Sequence, residues 1–211
     1  MKAPHGKSRL EDPAAAGGRD WLVAGVATVG LVLAGYLTIT KLTRASALFC
    51  EAGTGCDIIQ ASPYALFLGV PTALWGAAVY AAIGTVALVG LSQRWWLRAF
   101  LLAVSGVAFS AYLTYLSFFV IRAVCAYCLA SAAIAVALFG LLLARRPAGG
   151  GRRSPTRPVR VATLSALVAV TTVVFGAFVF AGSAPEQSAA YREALARHLT
   201  ASGAVFYGAY W

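Results

Sequence analysis

The chain has 211 residues, 60% of them hydrophobic and 11% charged, with a mean hydropathy of +0.77 and a net charge of +10. This is far too apolar for a soluble globular domain, and the apolar residues gather in long runs, so the sequence reads as a polytopic membrane protein. The 17 Lys and Arg residues lie in short segments between those runs, which is topology information and argues against a nucleic-acid footprint.

Residues 1–20 are polar and rich in Pro, Gly and Ala, and are expected to be disordered. The first span is Trp21 to about Leu42, too long for the apolar core of a signal peptide. Residues 43–68 form a loop segment carrying Cys50, Gly53, Gly55 and Cys56. Its second part, 57–68, is expected to be a short surface helix with Asp57 at the N-cap. Gly69-Val70-Pro71 then opens the second span, which runs to about Leu91, since proline is tolerated in a first helical turn. Residues 92–97 read as a turn in which Arg94, Trp95 and Trp96 form an interfacial belt. The third span, about Arg98 to Ile121, is rich in aromatics: Phe109, Tyr112, Tyr115, Phe118 and Phe119. A very short turn leads into Cys125-Ala126-Tyr127-Cys128, which heads the fourth span, ending near Ala144. Residues 145–160 are a loop with six arginines, 161–182 a fifth span, 183–199 an exposed amphipathic helix, and 204–211 a β-prone tail. The expected fold is an all-α integral membrane protein, with a four-helix bundle core over 21–144 plus a fifth transmembrane helix.

Residues 1–20, 92–98 and 145–160 carry four, two and six of the 17 basic residues, so the positive-inside bias puts them in the cytoplasm. All four cysteines then fall on the extracytoplasmic side. Charge and cysteine placement are separate observations that give one topology.

Cys125 and Cys128, one helical turn apart, share a face, and a helix N-terminus favours thiolate. Cys50 and Cys56 lie in a glycine-bearing loop that can swing. Thiol–disulfide exchange needs a thiolate to approach a disulfide sulfur, so a mobile pair beside a fixed pair reads as a relay. At the bilayer edge the natural two-electron acceptor is a lipid-soluble quinone. The third-span aromatics are read mainly as packing, with Phe109 and Tyr112 the candidates for lining a quinone pocket. Two structural disulfides in a membrane scaffold or transporter are the alternative, weakened because a bridge across one helical turn staples little loop. A four-cysteine zinc site fits the count but not the place, and no metal is expected.

Cys50-x5-Cys56-Asp57, then Ser62, then Phe67-Leu68-Gly69-Val70-Pro71, then Cys125-x-x-Cys128, resemble the bacterial homologues of vitamin K epoxide reductase, over about residues 21–144. The resemblance implies that Cys125 and Cys128 are the active-site pair, with Cys128 facing the quinone. It implies that Cys56 exchanges with Cys125, and that Cys50 takes electrons from a thioredoxin-like or DsbA-like partner, fused or separate. Ser62 matches a position associated with the quinone site, and Asp57 an acidic position beside the shuttle cysteine. The family often has hydroxyl residues directly after its second active-site cysteine; here Leu129-Ala130 follow. The expected location is a bacterial inner membrane, with the active site outside the cytoplasm. The fifth span and Tyr207-Gly208-Ala209-Tyr210-Trp211 resemble the lead into a fused thioredoxin-like domain. Residues 183–211 are therefore expected to be a linker and the start of such a domain in truncated form.

Overall fold

The computed structural model describes residues 18–43, 48, 50, 54–147, 158–182 and 186–203. The N-terminus through 17, most of the arginine loop, and the tail from 204 lie outside them, and so do the expectations placed there. Among the described residues five helices are long and apolar enough to cross a membrane. They are α1 (Trp21–Thr43), α3 (Thr72–Val89), α4 (Gln93–Tyr115, continued as a π-helical turn Leu116–Ile121), α5 (Ala126–Ala144) and α6 (Pro158–Gly182). A short α2 (Gly55–Ala61), strands β1 (Leu66–Phe67) and β2 (Val70–Pro71), and α7 (Glu186–Ala201) complete the order.

The helices pack because small residues recur on their inner faces. Val23, Ala27, Gly30, Ala34 and Leu37 repeat every three or four positions along α1 and are buried. Their small side chains let α1 lie close along α3. A Cβ at Gly30 would meet the Tyr80 ring at 2.8 Å, so the absent side chain is what admits that ring. α1, α3, α4 and α5 form the bundle, and α6 packs along α4. The apolar side chains that face outward, such as Val32, Val89 and Phe178, suit a hydrocarbon solvent.

Several expected boundaries shift. The loop helix stops at Ala61, because a β-hairpin and a 3₁₀ turn occupy the rest of 57–68. The hairpin pairs Leu66 with Pro71 and Phe67 with Val70, and its two central residues, Leu68 and Gly69, have φ of +54° and +78°. Two positive φ values make the turn whose twist suits a two-residue hairpin. The Phe-x-Gly-x-Pro pattern is thus a hairpin that delivers the chain into α3. Thr54, not Asp57, holds the N-cap position of α2, and Asp57 lies in its first turn. The 92–97 segment is helical from Gln93 onward. Trp95 lies partly exposed under the Arg98 guanidinium, but Trp96 is fully buried and donates from Nε1 to the Leu142 carbonyl at 2.8 Å. Its partner position therefore belongs to the core and not to an interfacial belt. Tyr115, Phe118 and Phe119 point outward and do not pack inside the chain.

At the end remote from the cysteines, Asp20 is buried. Its Oδ1 accepts the Val23 N–H and so caps α1, while Oδ2 pairs with Arg145 at the end of α5.

Candidate functional site: two cysteine pairs and an apolar cavity

All four cysteines meet at one end of the bundle, in a cluster with Leu37, Ile59 and Ala123. Cys50 and Cys56 form a disulfide, while Cys125 and Cys128 are thiols. Cys125 Sγ lies 3.8 Å from Cys56 Sγ. The loop pair is buried, with Cys50 7% and Cys56 6% exposed, so in this state it is folded in against the bundle and does not stand out from it.

Local structure explains the approach. A Cβ on Gly55 would come within 2.4 Å of the Val124 carbonyl oxygen and 2.8 Å of its nitrogen. Only glycine lets the first turn of α2 rest on the backbone next to Cys125. Leu48, two residues before Cys50, is held from both sides: its N–H donates to Tyr36 Oη at 2.7 Å, and its carbonyl accepts from Tyr127 Oη. Tyr127 thus ties the loop to the interior of the Cys-x-x-Cys.

Cys125 is the N-cap of α5, and its Sγ accepts the Cys128 N–H at 3.3 Å. Hydrogen bonding from the Cys128 thiol lowers the Cys125 pKa to about 7; burial opposes this, and the Cys128 and Tyr127 amides assist it. Cys125 is the more readily ionised thiol of the pair and lies beside a disulfide sulfur.

Cys128 lines a cavity of about 610 Å³ that runs down into the bundle, and Cys125 does not. The walls are mainly apolar: Leu37, Ile59, Phe67, Trp75, Ile83, Phe109, Leu113 and Leu138 are among them. Polar groups make up only a small part of its surface. Tyr80 Oη, on α3, reaches across to Ser131 on α5, 2.9 Å from its carbonyl and 3.0 Å from its hydroxyl. Ser131 lies one turn beyond Cys128, so a hydroxyl does stand near the second cysteine, three positions on. Lys41 reaches the rim and donates to the Gln60 carbonyl. An apolar cavity of this size with a few polar groups beside one thiol fits a quinone.

The other expected site residues divide. Phe109 is on the cavity wall. Tyr112 is not among the lining residues; it stacks on Phe180 of α6. Ser62 is also off the wall, and its hydroxyl donates to the Ile59 carbonyl at 2.7 Å as α2 ends. Gly55, Tyr36, Tyr80, Tyr127 and Ser131 were not singled out from the sequence. Tyr127 sits inside the motif and Gly55 in the glycine-bearing loop, but nothing in their spacing shows what they touch.

A helical membrane bundle whose thiol pair touches a disulfide on one side and an apolar cavity on the other is built for thiol redox chemistry. The family model described as the Vitamin K epoxide reductase family matches residues 21–143, more than half the chain. The chain belongs to that family and is a multi-pass membrane thiol oxidoreductase.

Proposed function

We propose that the protein passes electron pairs from a thioredoxin-like partner, through Cys50/Cys56 and then Cys125/Cys128, to a lipid quinone, and so supports disulfide formation outside the cytoplasm. The observation that carries this reading is the position of Cys128 on the cavity wall while Cys125 adjoins Cys56. The dithiol has one sulfur toward each neighbour.

The balance is simple. A partner dithiol reduces Cys50–Cys56 and leaves as a disulfide. Cys56 thiolate attacks Cys125 of an oxidised Cys125–Cys128 bridge and releases the Cys128 thiolate. Cys50 then displaces Cys125, restoring Cys50–Cys56. The Cys125/Cys128 dithiol gives up two electrons and two protons as its S–S bond forms, and a quinone bound in the cavity accepts them to become the quinol. The chain contributes position and the lowered Cys125 pKa; the quinone supplies the two-electron chemistry. The Tyr80–Ser131 hydroxyl pair would offer a quinone carbonyl a polar contact if one of its hydrogens turned toward the cavity, and the mainly apolar wall would disfavour water. Phe109, on the cavity wall, would pack against the ring. The separate sign of the basic loops supports an extracytoplasmic cysteine end.

The test is a single turnover. The Cys50→Ala/Cys56→Ala variant, pre-reduced and freed of reductant, is mixed with a short-chain benzoquinone. One quinol per chain and a Cys125–Cys128 disulfide are expected, and neither in the further variant Cys128→Ala. Binding of quinone without any reduction by the intact dithiol would overturn the reading in favour of structural disulfides.

A further inference from the structure

We propose that α6 is a fifth wall of the substrate cavity and holds the isoprenoid tail of the quinone. This rests on the quinone reading above and adds the part of the chain that recognises the tail. The cavity that begins at Cys128 is bounded further on by Leu167, Val168, Thr171, Thr172 and Phe175, all on α6. These positions recur every three or four residues and form one stripe. Val168 and Thr172 are half-buried, Leu167 and Phe175 are 64% and 50% exposed at the edge of the stripe, and Val170, 62% exposed, lies off it. α6 therefore borders the cavity along this stripe, and the outer edge of the stripe is open to lipid.

The helix is seated firmly enough to serve as a wall. Gly176 is buried under the ring of Phe109, where an added Cβ would lie at 3.4 Å. Phe180 and Phe175 sit with Phe67 of the hairpin at centroid distances of 5.5 and 5.9 Å. The head-group region beside Cys128, Tyr80 and Ser131 is supplied by α3 and α5, so the stripe on α6 bounds a different part of the same space. That part offers aliphatic and aromatic surface with two threonine hydroxyls, which suits a branched hydrocarbon chain and has no charge to bind a second polar group.

The experiment uses the full chain in lipid nanodiscs and a benzoquinone carrying a diazirine near the end of a long alkyl tail. Photolysis followed by peptide mapping is expected to place adducts within residues 167–175. Adducts confined to the other helices, with the head group still reduced, would overturn the proposal. Thr172→Trp and Val168→Trp are expected to abolish this labelling and to raise KM for the tailed quinone by roughly tenfold or more, the scale of losing a few methylene contacts. A tailless quinone should be affected less, and Val170→Trp, off the stripe, should be neutral for both. Equal effects on tailed and tailless quinones would sink the assignment. Thr172→Ala and Val168→Ala, with smaller changes in the same direction, guard against misfolding of the larger variants. A wild type that is labelled on α6 but never reduces quinone would defeat the redox reading alone; one that is neither labelled nor active would defeat both.

Discussion

At Cys125 three effects meet. The Cys128 thiol donates to its sulfur, the first-turn amides of α5 point at it, and burial works against both. The lowered pKa of about 7 gives a definite pH response. Thiolate at Cys125 should fall away as pH drops below 7 and level off above it. In the Cys50→Ala/Cys56→Ala background, thiolate ultraviolet absorbance should show this inflection. Adding Cys128→Ala removes the largest cause of the shift, so the inflection should move up toward the ordinary thiol value of about 8.5. An unmoved inflection would mean that the amides alone set it. Gly55 makes a second prediction at the same scale. Gly55→Ala forces α2 off the Val124 backbone, since neither contact atom belongs to a side chain that can turn away. With only Cys56 and Cys125 retained, their disulfide should form at least about tenfold less readily in a glutathione buffer than with Gly55 in place. The cysteines themselves were legible in the sequence because their spacing is local. Gly55, Tyr127 and Ser131 were not, because each acts on a residue distant in the chain or on a different helix.

At the scale of elements, the loop that carries Cys50 and Cys56 is held closed by Leu48, clasped between Tyr36 of α1 and Tyr127 of α5. Each hydrogen bond contributes about 1 kcal/mol net, so removing both loosens the closed loop by about 2 kcal/mol. Tyr36→Phe/Tyr127→Phe should therefore raise the rate at which a water-soluble phosphine reduces Cys50–Cys56 by roughly ten- to thirtyfold. No change would show that the loop is closed by its cysteine cluster and not by the tyrosines. Elements were read well where hydrophobic runs are long, because span length follows from bilayer thickness. They were read poorly between spans. The 57–68 stretch is apolar enough to pass for a helix, but Leu68 and Gly69 adopt positive φ and fold it into a hairpin. Trp95 and Trp96 are adjacent and chemically alike, yet one faces out and the other fills the core, a difference decided by helix phase once the helix starts at Gln93.

For the whole molecule, the two ends of the bundle do different work. The end far from the cysteines is fastened by Asp20 and Trp96. The Leu142 carbonyl lies in the last turn of α5, where helix carbonyls lack intrahelical partners, and Trp96 Nε1 supplies its donor. Trp96→Phe should cost about 1–2 kcal/mol through that lost donor, and Trp96→Ala about 3–5 kcal/mol with the added cavity. Asp20→Ala removes a cap and leaves the half-exposed Arg145 without its carboxylate, which should cost about 1–2 kcal/mol. Thermal unfolding in detergent reads these losses. The single-turnover yield of quinol per folded chain should stay at the wild-type value, because the sulfurs and the Tyr80–Ser131 pair lie away from this end. A bundle of four spans plus one was legible from apolar runs. That the additional helix shares the cavity was not, since its two faces are almost equally apolar and hydropathy does not distinguish lipid from a neighbouring void.

The cavity touches Cys128 and misses Cys125, and Cys125 is 2% exposed. This amounts to electrical insulation. In the proposed relay, electrons would pass from one sulfur pair to the next only when a bond is exchanged between atoms already in register. A stray small thiol finds the inner terminal covered, and an oxidant dissolved in the bilayer finds only the outer sulfur of the pair. The proposed circuit would close through two shaped contacts, so fit at each terminal would select which partners exchange quickly, while their potentials would still set the direction.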